Sequence, residues 1–336
     1  MGAAKSRMVF KRKQPLIRKS VQIEEEAAAP KIVLFTGHSH RMNLAIALPL
    51  AEDPLSSFKV LVTIPSLTSS EYLEDPRVLN VLNKTLFVLQ MNLESNESIK
   101  GVLGEIMDTD GFIDAVVITS NVLLSGQLET HTTDQAKTIF DVNTIFVVSI
   151  VKAVLPMMKK QRDGRLIIVS NQAGVLGIPF HGIYCASKFA LEGFMERIAP
   201  ECLAFNIRCS IVETSMIKGE EKTAQTIQVS IRSKMENADD HTKKYQDSCS
   251  AKMRRQRSVK NFDLHRVTEL IREIILEERP HFRYQLNKSS KDAAREKWND
   301  LHGDTYIFDS AEQFLCVETE RLQDALDNLN SVESKV

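Results

Sequence analysis

A tyrosine and a lysine stand four residues apart in the segment YCASKFALEGF, as Tyr184 and Lys188. On a helix this spacing places both side chains on one face. A phenol has an unperturbed pKa of about 10 and is a poor acid at neutral pH, whereas a neighbouring ammonium favours the phenolate. The pair therefore has the chemistry of a proton donor with a tuning charge beside it. The alternative is that Tyr184 packs in the core and Lys188 is a surface charge.

The residues before this pair predict a strand that leads into it. Residues 166–169 form a short apolar run, which is typical of a buried strand. From Lys31 onward, apolar strands alternate with helices, the pattern of a parallel sheet covered on both faces. We therefore predict an α/β fold with a doubly wound parallel sheet. The predicted strands are 31–36, 58–63, 84–91, 115–119, 166–169, 207–212 and 281–286, and the predicted helices are 44–51, 71–82, 133–159, 266–277 and the one that carries Tyr184.

The segment around Tyr184 resembles the active-site helix of the short-chain dehydrogenase/reductases, in the branch of the steroid 17β- and retinol dehydrogenases. The resemblance covers about residues 30–308 and implies one Rossmann-type domain. It implies NADP(H)-dependent interconversion of hydroxyl and carbonyl groups on a steroid or a retinoid, by a homodimer. Tyr184 would then be the acid/base and Lys188 its partner, while Asn143 would hold a proton-relay water.

The family serine, thirteen residues before the tyrosine, is Asn171 in this chain. That serine donates a hydrogen bond to the reacting carbonyl, and losing such a donor costs about 10²–10³ in rate. The amide of Asn171 has two donors and is able to replace it. The adjacent Ser170 is expected to point to the other face of the strand.

The resemblance also locates cofactor positions, and most of them are altered. The family turn Thr-Gly-x-x-x-Gly-x-Gly reads TGHSHRMN from Thr36 to Asn43, so that only Gly37 remains of its glycines. Glycine lets backbone approach a pyrophosphate at a helix N-terminus, and the replacements Arg41 and Asn43 lack that freedom. Other changed positions are Pro65 after the second strand, Asn92 in place of an Asp, Thr119-Ser120-Asn121 in place of Asn-Ala-Gly, and Thr214-Ser215 in place of Pro-Gly.

These positions predict where a dinucleotide would bind and why binding would be weak. The cofactor-binding positions implied by the family are Thr36, Gly37, His38, Arg41, Asn43, Asn92, Thr119 and Lys188. The changes together predict that NADP(H) binding is impaired or lost, although the guanidinium of Arg41 is able to fill a phosphate site. His38 and His40 lack a third ligand, so we predict no metal site.

Composition narrows the class of protein further. The 336 residues are 43% hydrophobic and 26% charged, as in ordinary globular proteins, and the net charge of −1 gives no bias toward nucleic acid. Five unpatterned cysteines predict free thiols in a reducing compartment, which favours the cytoplasm. We expect no apolar run of the roughly 18 residues that span a membrane.

The two ends of the chain predict tails outside the domain. Residues 1–29 are basic, with seven Lys and Arg before the first acid, Glu24, and MGAAKS fits the pattern for N-myristoylation of Gly2. An acyl chain beside a basic patch is a two-part membrane signal, and the segment resembles the acylated N-termini of Src-family kinases. The alternatives are a disordered tail and a transit peptide. Residues 309–336 predict a partly helical tail, and residues 214–260 a mobile flap.

Three functions are consistent with these patterns. The favoured one is a protein that has impaired or lost NADP(H)-dependent activity and retains an apolar-ligand or partner-binding role, because hydride transfer requires the cofactor. The second is an active NADP(H)-dependent oxidoreductase. The third is a membrane-surface adaptor, suggested by the N-terminus and by the basic residues of 252–260.

Overall fold

The computed structural model describes residues 29–38, 40–66, 74–214, 239–259 and 264–312. Seven parallel strands form one sheet in the order β3-β2-β1-β4-β5-β6-β7. The strands are β1 (Lys31–Thr36), β2 (Phe58–Ile64), β3 (Leu86–Gln90), β4 (Ala115–Thr119), β5 (Gly164–Asn171), β6 (Ile207–Thr214) and β7 (Arg283–Gln285). The predicted doubly wound α/β fold is confirmed.

Helices cover both faces of this sheet. In the described residues they are α1 (His40–Ala51), α2 (Pro76–Val81), α3 (Asn96–Asp110), α4 (Thr133–Phe140), α5 (Phe146–Gln161), α6 (Gly182–Leu203), α7 (Asp240–Val259), α8 (Leu264–Leu276), α9 (Lys288–Asn299) and α10 (Asp304–Ser310). One apolar cluster joins the sheet to α3, α5 and α6, and a second joins the opposite face to α1 and α8. Because both faces are buried, the strands read as continuous apolar runs in the sequence.

Two central strands match their predicted ranges, whereas four helices of the described residues were not predicted. β1 and β4 have the predicted bounds, and the other strands differ at their ends. The helices missed are α3, α7, α9 and α10, in which polar residues outnumber apolar ones. Helix α1 begins at His40 rather than at residue 44.

Several predictions fall partly or wholly outside the described residues. These include Gly2 and the basic tail, Ser215, and the C-terminal residues from 313 onward. Of the predicted flap, Thr214 belongs to β6 and Asp240–Val259 forms α7. Cys185, Cys202, Cys209 and Cys249 are free thiols, as predicted, and all four are buried.

One helical stretch corrects the expectation about membrane-spanning segments. From Thr133 to Gln161, α4 and α5 run together through a π-helical turn at Asp141–Ile145, and this stretch is long and apolar enough to cross a membrane. Its buried residues, among them Val147, Ile150 and Val154, pack in the same apolar cluster as the sheet. The stretch therefore has the packing of a core helix.

Candidate functional site

The π-helical turn between α4 and α5 carries Asn143, which is completely buried. Its Oδ1 accepts a hydrogen bond from the Val122 amide at 2.8 Å. Its Nδ2 donates to the Val122 carbonyl at 3.0 Å and to Ser187 Oγ at 3.1 Å. The hydrogen bonds of Asn143 thus connect the chain that follows β4 to helix α6. Single π turns inside α-helices are frequent at functional sites.

Tyr184 and Lys188 lie one turn apart on α6, and neither side chain is exposed. The ammonium of Lys188 donates to the Ser120 carbonyl at 2.6 Å and stands 5.8 Å from the centre of the Tyr184 ring. The alternative in which Lys188 is a surface charge is therefore wrong. A buried ammonium requires such acceptors, because an unpaired charge in the interior is very costly.

The hydroxyl of Tyr184 is held by two asparagine side chains. Asn171 ends β5, and its Oδ1 accepts from the Ala173 amide at 2.9 Å, which leaves Nδ2 to donate to Tyr184 Oη. Tyr184 Oη in turn donates to Asn121 Oδ1 at 2.7 Å. A tyrosine hydroxyl has one proton, so this arrangement directs it to Asn121.

Asn121 was predicted only as a changed cofactor position, and its contact with Tyr184 was not predicted. It is 6% exposed and follows β4 at the position where the family sequence has a glycine. The signal in the sequence was the replacement of a small residue by an amide. Its contact with Tyr184 joins residues 63 positions apart, and that contact becomes visible only in the folded protein.

Ser170 faces away from Tyr184, as the alternation of side chains along a strand predicts. Its Oγ donates to Glu192 Oε1 at 2.8 Å, whereas the neighbouring Asn171 contacts Tyr184. Tyr184 also packs with the apolar residues Leu123, Ala173 and Ile178 and with Cys185. Burial raises the pKa of the Cys185 thiol, which makes it a neutral member of this cluster.

The remaining glycine of the turn after β1 is required for packing against β4. Gly37 has φ +139°, and a Cβ added to it would lie 1.8 Å from the Thr119 carbonyl oxygen. Asn43, at the position of the third family glycine, is completely buried. Its Nδ2 donates to the Gly37 carbonyl at 3.2 Å, and Thr119 Oγ1 donates to its Oδ1. Asn43 therefore fills the space between the turn and β4 rather than projecting outward.

The other predicted cofactor positions lie around this turn and at the end of β3. Thr36 Oγ1 accepts from Thr63 Oγ1 at 2.8 Å, and the His38 ring packs edge-on against Phe146, with 4.8 Å between ring centres. Arg41 is exposed in the first turn of α1. Asn92 is also exposed, and its Oδ1 accepts from the Glu94 amide at 3.0 Å.

Two C-terminal helices cover the turn that follows Asn171. From α9, Lys297 donates to the Val175 carbonyl at 2.5 Å, and from α10, Tyr306 donates to the Gly177 carbonyl at 2.6 Å. Side chains of both helices also pack on the apolar residues Val175 and Leu176. The side of the site that follows β5 is therefore formed by elements that the sequence did not predict. Within the described part of the chain, no three His, Cys, Asp or Glu side chains are grouped as metal ligands.

The comparison with known families identifies the class of protein. A family model described as short chain dehydrogenase matches residues 31–229, which is more than half of the chain. The chain belongs to the short chain dehydrogenase family.

Two human enzymes are among its curated relatives. Retinol dehydrogenase 8 of Homo sapiens is 38% identical over 205 residues, which are 61% of this chain and 65% of that protein. The 17-beta-hydroxysteroid dehydrogenase type 1 of Homo sapiens is 36% identical over 186 residues, which are 55% of this chain and 56% of that protein. Each match spans less than two thirds of the relative's length.

Solved structures of low sequence identity share the fold. A short chain dehydrogenase/reductase from Burkholderia phymatum, in complex with NAD, has a TM-score of 0.65 and 17% identity, covering 81% of this chain and 94% of that one. The structure titled "ElxO with NADP Bound" has a TM-score of 0.58 and 20% identity, covering 78% of this chain and 99% of that one.

Proposed function

We propose that this short chain dehydrogenase has impaired or lost NADP(H)-dependent activity and retains a binding site for an apolar alcohol or carbonyl compound of the steroid or retinoid class. The ligand class is supported by the relatives, which are named for retinol and for 17β-hydroxysteroids. The side chains packed around Tyr184 are apolar, which is compatible with such a ligand.

The observation that carries the proposal is the double hydrogen bond of the Tyr184 hydroxyl. An acid/base group must come within hydrogen-bond reach of the atom that it protonates. Here the proton points to Asn121 Oδ1, the oxygen is bonded by Asn171, and the side chain is completely buried. A carbonyl substrate would have to displace Asn121 before Tyr184 could act on it.

Three contacts support impaired binding of a nicotinamide dinucleotide at the positions that the family sequence implies. Asn43 occupies the space between the glycine turn and β4, and the ammonium of Lys188 donates to the Ser120 carbonyl. Asn121 places an amide where the family has a glycine. If Arg41, or residues that the family does not use, bound a dinucleotide, the binding contacts would differ from those of the family.

The second candidate function is an active NADP(H)-dependent oxidoreductase. It is favoured by the packing of the active-site set, since Asn143 bonds to Ser187 and Ser187 to the carbonyl of Tyr184, on the helix that also carries Lys188. In this alternative, Tyr184 is the acid/base of a hydroxyl–carbonyl interconversion. Cytoplasmic location, a homodimer and peripheral membrane contact through myristoylated Gly2 stay predictions of the sequence, as does the adaptor function.

Restoring the family residues around Tyr184 tests the proposal. We expect wild-type protein to reduce a ketosteroid or retinal with NADPH no faster than Tyr184→Phe does. Arg41→Gly and Asn43→Gly restore the family turn for NADPH, and Asn121→Gly with Asn171→Ser frees the hydroxyl. The variant that carries all four changes should gain a rate that adding Tyr184→Phe removes. Wild-type turnover that Tyr184→Phe abolishes would contradict the proposal and establish the oxidoreductase.

Ligand binding is tested separately from turnover. Retinol fluorescence in a titration should report saturable binding to the wild type and to Tyr184→Phe alike, because the hydroxyl is already bonded within the protein. Estradiol should compete if the site accepts steroids. Absence of saturable binding of both compounds would overturn the binding role.

A further inference from the structure

A group of charged side chains lies behind the candidate site, at the ends of β5, β6 and β7. Glu192 extends from α6, Glu213 from β6 and Arg283 from β7. Both glutamates are 3% exposed, and the Arg283 side chain is 19% exposed. The hydrogen bonds described for Tyr184 do not involve these three side chains.

Each carboxylate oxygen in this group has a hydrogen-bond donor. Ser170 Oγ donates to Glu192 Oε1 at 2.8 Å, and Gln285 Nε2 donates to Glu213 Oε2 at 2.9 Å. The remaining oxygens, Glu192 Oε2 and Glu213 Oε1, both accept from Nη1 of Arg283. Two acceptors on one nitrogen lie within about 6 Å of each other.

The charges of this group do not balance when both glutamates are ionised. Two buried carboxylates then face one guanidinium, and an uncompensated charge in the interior is costly. Glu196 also approaches Arg283, at 3.9 Å, but its side chain is 72% exposed, so water screens it. Lys188 is one turn before Glu192, and its ammonium donates to the Ser120 carbonyl. The Trp298 ring that faces Arg283 is neutral.

We propose that Glu192 binds a proton in the folded protein, so that with Glu213 and Arg283 it forms a neutral proton-binding site. Proton binding removes the surplus negative charge, and the remaining carboxylate stays hydrogen-bonded to Arg283. Burial raises the pKa of Glu192 to about 7, the nearby Glu213 adds to the rise, and Arg283 and Ser170 oppose it. The raised pKa of Glu192 agrees with the surplus negative charge that the contacts place around it.

The proton-binding site lies directly against the turn that Asn171 caps. A Cβ added to Gly174 would lie 1.9 Å from Glu192 Oε1, so the carboxyl packs on the backbone of that turn. Ser170, which bonds to Glu192, immediately precedes Asn171. The carboxyl of Glu192 therefore contacts the end of β5 at Ser170, one residue from Asn171 of the candidate site.

The proposal predicts a definite sign for the dependence of stability on pH. The folded protein holds the proton up to a pH of about 7, whereas an unfolded glutamate releases it near 4.5. The stability contribution is complete below the unfolded pKa and is lost as the pH rises to the folded one. Histidines also titrate in this range and affect stability. The contribution of Glu192 is therefore measured as the difference between a variant and wild type at each pH.

Urea unfolding of Glu192→Gln and of wild type at pH 5, 6, 7 and 8 tests the site. Glutamine keeps the size of the side chain and cannot ionise, so its unfolding midpoint should rise relative to wild type as the pH increases. Glu213→Gln should show the same trend, because one carboxylate then faces Arg283. Glu196→Gln is the matched control, and its offset from wild type should be the same at every pH.

The infrared spectrum of the wild type gives a second readout that needs no variant to fold. A protonated carboxyl band should be present at pH 6 and absent at pH 8.5, and Glu192→Gln should lack it. The proposal is overturned if that band is missing at pH 6, or if Glu192→Gln and Glu213→Gln run parallel to Glu196→Gln across the pH range.

Discussion

The hydroxyl of Tyr184 is held by Asn171 and Asn121, two side chains at positions where the family has other residues. An amide at position 171 still donates a hydrogen bond, and an amide at position 121 adds an acceptor on the other side. Each change is compatible with the fold, because the new polar atoms find partners in the interior. As a result, the hydroxyl of Tyr184 donates one hydrogen bond and accepts another within the protein.

Tyr184→Phe should therefore destabilise the protein in addition to any effect on chemistry. Removing the hydroxyl leaves amide groups of Asn171 and Asn121 buried without that partner, at a cost of about 1–3 kcal/mol. Urea unfolding measures the change. Tyr306→Phe is the control, because it removes one hydrogen bond to the Gly177 carbonyl from a partly exposed site and should cost about 1 kcal/mol. Equal stability of Tyr184→Phe and wild type would contradict the double hydrogen bond.

The sequence revealed the site at the residue scale only in part. The spacing of Tyr184 and Lys188 placed both on one helical face. The family resemblance placed Asn171 beside the tyrosine, and strand alternation placed Ser170 on the other face. Asn121 and the acceptor of Lys188 were not predictable, because both contacts join the chain after β4 to a helix more than 60 residues away. No local pattern encodes such a pairing.

The helices and strands differ in how well the sequence predicts them. The strands carry apolar runs that are buried on both faces, and such runs are readable without knowledge of their partners. Helix α3 has four buried apolar residues among many polar ones, and α9 packs on the turn after β5 through a few side chains. The turn after β1 is determined by two residues and not by an apolar run, since Gly37 and the buried Asn43 set its distance from β4.

At the scale of elements, we predict that Gly37 cannot be replaced. Gly37→Ala adds a Cβ that would overlap the Thr119 carbonyl in a left-handed conformation, and it should cost about 3 kcal/mol or more. Gly101→Ala is the matched control, because nothing lies within 4 Å of its added Cβ and alanine is preferred in helix interiors. It should stabilise the protein by about 0.5–1 kcal/mol. Similar unfolding midpoints for the two variants would contradict the close packing of the turn on β4.

At the scale of the whole molecule, the doubly wound sheet gathers the ends of β1, β4, β5 and β6 at one edge. That edge is where ligands bind in open α/β sheets. In this protein its polar groups are bonded mainly to one another: Asn43 to the glycine turn, Lys188 to Ser120, and Tyr184 to two asparagines. The fold of a short chain dehydrogenase is retained, and these internal contacts support the proposal that dinucleotide binding is impaired.

Binding of NADPH by the full chain tests this account most directly. A ligand that binds only the folded state stabilises it by about 2.7 kcal/mol at a hundredfold excess over its dissociation constant. We predict that thermal unfolding curves with and without millimolar NADPH coincide, and that nicotinamide fluorescence does not change in a titration. A clear rise in the unfolding temperature, with saturable fluorescence, would contradict the account and restore the active oxidoreductase.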